Sequence, residues 1–153
     1  MEFTVRPIGR VFGGRHEPTD DNWDAVESVI CLDADRFEPD AFAGLDSFSH
    51  VEVVYLFDRV DDSEIVLGAR HPRGREDWPR IGIFAQRGRT RPNRIGVTVC
   101  RIRGVEGLRL SVSGLDAIDG TPVLDIKPVM SGFAPRGAFH EPSWAREIMA
   151  DYW

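Results

Sequence analysis

The chain has 153 residues, 42% of them apolar, with two cysteines and a net charge of −6. It fits one domain over residues 1–153, able to bury roughly 70% of its unfolded surface. No apolar run approaches the 18 residues of a membrane span, and an acidic chain is not a general nucleic-acid coat. The start, Met1-Glu2-Phe3-Thr4-Val5, lacks a basic and apolar leader, and Cys31 and Cys100 lie apart with no metal-ligand spacing. These features lead to an expectation of a cytoplasmic protein with no metal.

Phe3 to Val11 reads as a first strand, and Gly13-Gly14 opens a polar loop ending at Trp23. A second strand follows from Ala25 to Leu32. Glu38-Pro39-Asp40 predicts a turn or two of helix through Phe42 and Leu45. Val51 to Phe57 alternates with apolar residues on both faces, which predicts a strand buried on both sides. Asp58 to Pro79 is the longest irregular stretch, and it contains His71-Pro72-Arg73-Gly74-Arg75. Ile81 to Ala85 and Ile95 to Val99 read as two buried strands joined by an arginine-rich hairpin loop. Val97 to Arg103 and Leu108 to Ser113 predict a further hairpin, and Val123 to Ile126 a last strand. The tail from Lys127 to His140 is rich in turn residues. Glu141-Pro142-Ser143-Trp144 then opens a helix with Trp144, Ile148 and Tyr152 on one face. Many short strands and little helix define an all-β chain, a closed or nearly closed single β-barrel with short helices and a C-terminal helix.

Charge is unevenly spread. From Arg70 to Arg103 ten arginines meet only Glu76 and Asp77, a local +8 that leaves −14 for the rest. A concentrated field of one sign steers an anionic partner whatever the total charge, and guanidinium forks suit phosphate and carboxylate. Generic catalytic motifs are absent: no G-x-G-x-x-G after a strand, no phosphate loop and no nucleophile elbow. His50, beside Ser49 at a strand entry, reads as a structural hydrogen-bonder. Asp116, Asp119 and Asp125 form a cluster that turn chemistry also explains. Core or interface positions take precedence over base stacking for Trp23, Trp78, Trp144 and Trp153.

The segment Gly82-Ile83-Phe84-Ala85-Gln86-Arg87-Gly88-Arg89-Thr90-Arg91-Pro92-Asn93-Arg94-Ile95-Gly96 resembles the core signature of the TrmO/YaeB (TsaA-like) family, roughly G-V-F-A-T-R-S-x-x-R-P-N-P-I-G. Three further blocks resemble that family in the same order. They are Ile8-Gly9-Arg10-Val11, Gly44-Leu45-Asp46-Ser47-Phe48-Ser49-His50-Val51, and Ser113 through Pro128. The resemblance implies a β-barrel S-adenosylmethionine-dependent methyltransferase without a Rossmann sheet, usually a homodimer. The substrate it implies is the exocyclic nitrogen of threonylcarbamoyl-adenosine beside the tRNA anticodon. Matched position by position, it implies cofactor contacts at Arg87, Val97, Ser113, Gly114, Leu115 and Asp116, with Asp58 and Arg59 as a pair of different residue types. Arg89, Arg91, Asn93 and Arg94 on the same loop are the expected RNA contacts. No catalytic base is identified. Two other readings stay open: a methyltransferase for a smaller acceptor, and a barrel binding adenosyl ligands or RNA without chemistry. Three residues depart from the signature: Gln86 and Gly88 stand where the family has threonine and serine, and Arg94 where it has proline.

Overall fold

Alternating side chains in successive strands give one wall an apolar inner face, and a sheet with such a wall gains most by closing on itself. The computed structural model describes residues 1–153. Its strands are β1 (Gly9–Phe12), β2 (Glu27–Leu32), β3 (His50–Leu56), β4 (Ala69–Arg70), β5 (Ile81–Gly82), β6 (Ile95–Glu106), β7 (Arg109–Ser113) and β8 (Pro122–Pro128). Six of them close a barrel in the order β1-β2-β7-β6-β3-β8, every neighbour antiparallel. β4 and β5 form a separate two-stranded ribbon. The expected barrel is present.

The core is the barrel interior: Val11, Ile30, Val51, Val53, Leu110, Val112 and Val123 are fully shielded from solvent. β3 buries Val51, Val53 and Tyr55 but leaves Val54 and Leu56 half-exposed, so it is covered on one side rather than two. The β1–β8 seam rests on the pairs Gly9↔Val123 and Arg10↔Pro122, extended by Ile8 N–H to the Val123 carbonyl (2.8 Å) and Val11 N–H to that of Thr121 (3.0 Å).

Further expectations change. The first strand begins at Gly9, because Phe3 and Val5 project into solvent at 82% and 62% exposure. The segment after Glu38 forms turns and a single 3₁₀ turn at Leu45–Ser47, not an α-helix. Ile81–Ala85 is a two-residue strand followed by a 3₁₀ turn, with Phe84 79% exposed. β5 pairs with β4 and not with β6, so no hairpin joins Ile81–Ala85 to Ile95–Val99, and part of the irregular stretch becomes strand. The C-terminal helix α1 covers only Ser143–Ile148. Its tail docks on its own chain, where Asn22 N–H and Trp23 N–H donate to the carbonyls of Asp151 and Tyr152, both at 2.8 Å. Trp78 Nε1 donates to Glu147 Oε2 at 2.8 Å, while Arg75 lies 4.0 Å over the Trp78 ring.

Candidate functional site

β6 organises the site because alternation sends Gly96, Thr98 and Cys100 inward and Val97 outward. Gly96 needs to be glycine: a Cβ there would meet Tyr55 Cε2 at 2.5 Å and Phe57 Cζ at 3.0 Å. The Tyr55 ring therefore lies against the β6 backbone, braced edge-on by Phe57 with centroids 5.3 Å apart. From there its hydroxyl reaches Asp116 Oδ1 at 2.9 Å. Thr98 Oγ1 donates to the same oxygen, and the Tyr152 hydroxyl, brought in by the tail, donates to Oδ2. A carboxylate offers about four acceptor positions, so three hydroxyls leave one, on Oδ2.

The donors stay neutral. Burial, reinforced by the Asp116 charge, holds the Tyr55 and Tyr152 phenols well above the usual tyrosine range. The same two causes push the Cys100 thiol up to about 12. None of these groups is poised to take a proton at neutral pH; the two tyrosines orient a carboxylate.

Arg87 sits one residue away in register. Its Nη2 donates to the Val97 carbonyl at 2.6 Å, and the rest of the guanidinium faces solvent. Arg87 thus reaches the β6 backbone at Val97, the residue before Thr98, whose hydroxyl holds Asp116. Leu115 is fully buried and Ser113 nearly so. Gly114 turns the chain in the left-handed region (φ 79°) while its N–H donates to Val26 O at 3.0 Å. Asp58 and Arg59 are exposed, and Arg59 reaches the carbonyls of His16 (3.2 Å) and Asp119 (3.4 Å), near Asp116 in sequence but outside its hydrogen-bond cluster.

The loop residues divide differently. Arg91 Nη1 donates to Gln86 O at 2.8 Å, and Arg94 Nη1 donates to Val60 O at 2.8 Å while pairing with Asp62 at 3.0 Å. Asn93 and Arg94 take left-handed backbone angles, φ 63° and 54°. Arg89 is exposed and makes no hydrogen bond or ion pair within the chain. Ser49 Oγ and His50 Nδ1 lie 2.7 Å apart, consistent with a structural histidine. Asp125 caps its own neighbour's N–H, that of Ile126, at 2.9 Å, away from Asp116. Trp23 and Trp78 are buried, Trp144 is half-buried and Trp153 exposed.

Sequence reasoning missed Tyr55, Thr98 and Tyr152. The glycine after Ile95 was the one local sign that a ring packs close by; Tyr152 was read as part of the helix's apolar face, whereas it lies in the turn beyond α1 and its hydroxyl reaches Asp116. A hollow of about 480 Å³ is lined by Phe37, Phe42, Leu45, Phe48 and Ile126 and holds none of these groups. No cluster of metal-ligating side chains occurs, and no helix is long and apolar enough to cross a membrane.

A family profile described as the tRNA-methyltransferase O N-terminal domain matches residues 16–134, which include both the Arg87 loop and Asp116. The chain belongs to this family. A solved structure of TrmO from Pseudomonas aeruginosa superposes with a TM-score of 0.72 at 32% identity, covering 91% of this chain and 62% of that one. The putative S-adenosylmethionine-dependent methyltransferase RcsF of the same organism is 45% identical over 91 residues, 58% of this chain and 38% of its own length. A human tRNA (adenine(37)-N6)-methyltransferase is 35% identical over 109 residues, 71% of this chain and 23% of its own. A probable S-adenosyl-L-methionine-binding protein of Methanothermobacter thermautotrophicus is 36% identical over 133 residues, 84% of this chain and 90% of that protein. The family's barrel is therefore spanned here, while several relatives are much longer.

Proposed function

We propose that the chain binds S-adenosylmethionine and methylates the exocyclic nitrogen of an adenosine in the tRNA anticodon region, with threonylcarbamoyl-adenosine as acceptor. The observation that carries this reading is the carboxylate of Asp116, fixed by three hydroxyls yet left with one acceptor position, with the partly free guanidinium of Arg87 held on the β6 backbone at Val97, next in the chain to Thr98. The residues fit the cofactor: a ribose hydroxyl suits the open position on Oδ2, and a carboxylate suits Arg87. The family membership and the names of the relatives support the same chemistry. When bound, S-adenosylmethionine supplies an electrophilic methyl on a sulfonium. The chain's own groups hold and align: Tyr55, Thr98 and Tyr152 keep the Asp116 carboxylate pointed, and Leu115 and Gly96 provide a dry wall and a close backbone approach. Alignment of acceptor, methyl and leaving sulfur then does most of the work.

Titration calorimetry with S-adenosylmethionine, followed by methyl transfer to tRNA, tests the reading. Asp116→Asn should lower cofactor affinity by about tenfold or more, since the lost bond is charge-assisted. No binding by the parent protein overturns the proposal. Binding without transfer to any tRNA moves the acceptor to a smaller molecule. A homodimer is part of the proposal, supported by the exposed Ile95 and Val99 on the outer face of β6, 40% and 48% accessible. Light scattering that reports a monomer at micromolar concentration would remove it.

A further inference from the structure

Of the ten arginines between Arg70 and Arg103, seven have partners within the chain. Arg73, Arg75, Arg94, Arg101 and Arg103 face carboxylates, and Arg87 and Arg91 are tied to carbonyls. The side chains of Arg70, Arg80 and Arg89 have neither a hydrogen bond nor an ion pair. Arg70 is the unusual one, because its Nε is buried and unpartnered, although an interior cation ordinarily has an acceptor.

Two of the three departures from the family signature converge on Arg70. Gly88 stands where the signature has serine, and a Cβ there would lie 2.5 Å from Arg70 Nη2. A side chain at 88 would push the guanidinium off its present seat on the loop, and glycine leaves that seat open. Gln86 stands where the signature has threonine; it is buried, and its Nε2 donates to Arg70 O (3.2 Å) and Ile81 O (2.9 Å), a reach threonine lacks. One substitution makes room for the head of Arg70 and the other fixes its backbone. Arg80 precedes Ile81, the β5 residue paired with Arg70, and Arg89 follows Gly88, so the three unpaired cations come from adjoining segments.

From this juxtaposition we propose that Arg70, flanked by Arg80 and Arg89, binds a backbone phosphate of the RNA acceptor and tunes this chain's acceptor preference. The proposal rests on the tRNA reading above. Several uncompensated guanidiniums in neighbouring segments match a polyanion with repeated charges better than a single carboxylate. Arg70 does not touch the Asp116 cluster, so its effect falls on the acceptor and not on the cofactor.

The test is fluorescence anisotropy of the full chain with an anticodon stem-loop RNA across a salt series, alongside calorimetry with S-adenosylmethionine. Arg70→Ala should weaken RNA binding about tenfold at low salt and flatten the log–log salt slope by about 0.7, the value for one phosphate contact on a single strand. Its cofactor affinity should stay within about twofold. Arg70→Lys, which keeps the charge, should keep the slope. Gly88→Ser, which shifts the guanidinium but keeps its charge, should weaken RNA binding less than Arg70→Ala, and the double variant should be no worse than Arg70→Ala, because both changes act on one contact. Equal slopes in parent and Arg70→Ala overturn the inference and leave the tRNA reading intact. Loss of cofactor affinity in Arg70→Ala with an unchanged RNA slope also overturns it, assigning the guanidinium to the cofactor. A parent protein with no salt-dependent RNA binding overturns both.

Discussion

Arg94 occupies the position where the family signature has proline, and its geometry makes the reverse substitution informative. Pro92-Asn93 forms a turn in which Arg94 N–H donates to Arg91 O at 3.0 Å, and Arg94 itself lies at φ 54°. Proline has no N–H and holds φ near −65°, so Arg94→Pro removes that bond and cannot adopt the observed backbone. It also deletes the guanidinium contacts to Val60 O and Asp62. The Asp62 pair is exposed and contributes little, because solvent screens it. A backbone mismatch plus one lost buried hydrogen bond costs about 3 kcal/mol or more. At about 2–4 °C per kcal/mol for a domain of this size, the melting temperature should fall by about 6–12 °C. Arg94→Gly is the control: it tolerates φ 54° and loses only the side chain, so it should melt within about 4 °C of the parent. Thermal unfolding followed by far-ultraviolet circular dichroism reads both. A proline variant as stable as the parent would refute the reasoning, because the loop would then accept the family's backbone path at no cost.

Two further outcomes follow from the site. Gly96→Ala should destabilise the barrel by about 1–3 kcal/mol and weaken S-adenosylmethionine binding with it, since the new methyl drives Tyr55 off Asp116; calorimetry and thermal melts showing a parent-like protein would sink the close-packing argument. Stability should also fall at alkaline pH. Cys100 titrates at about 12 in the folded chain against 9.0 when unperturbed, so its stabilising contribution is complete below pH 9 and is lost as pH rises towards 12. Tyr55 and Tyr152 act in the same direction at pH above about 10. Denaturant midpoints should be level from about pH 7 to 9 and drop beyond, and Cys100→Ala should remove the first part of the drop; an unchanged profile in that variant would show that the thiol is not the cause.

What was legible in the sequence was what local pattern encodes. Alternation marked β3, β6, β7 and β8, and the family blocks pointed to Arg87, Val97 and Asp116 as cofactor contacts before any coordinates. Apolar content alone misled where it met the surface: Phe3, Val5 and Phe84 read as strand interior but project outward. The arginines of the loop could not be sorted by spacing, because their partners come from remote segments, Val60 and Asp62 for Arg94 and β6 for Arg87. Tyr55 and Tyr152 were invisible for the same reason, since they reach Asp116 across 61 and 36 positions of chain. A hydrogen bond between distant residues leaves no periodicity. Gln86 and Gly88, by contrast, stood out as departures, and their shared object, Arg70, became visible only once β4 and β5 were seen to pair.

The β1–β8 seam has a kinetic meaning. Residues 9 and 123 must meet before the cylinder exists, and a chain released from one end cannot zip it shut from local contacts. The entropy of closing so long a loop is lost before the seam's few bonds return anything. Folding should therefore be governed by the encounter of the first strand with the last, in the millisecond-to-second range of barrels rich in distant pairings. The same economy of bonds makes the seam the natural place for the native wall to breathe, with amide exchange at Ile8 and Val11 running ahead of that in β3 and β6.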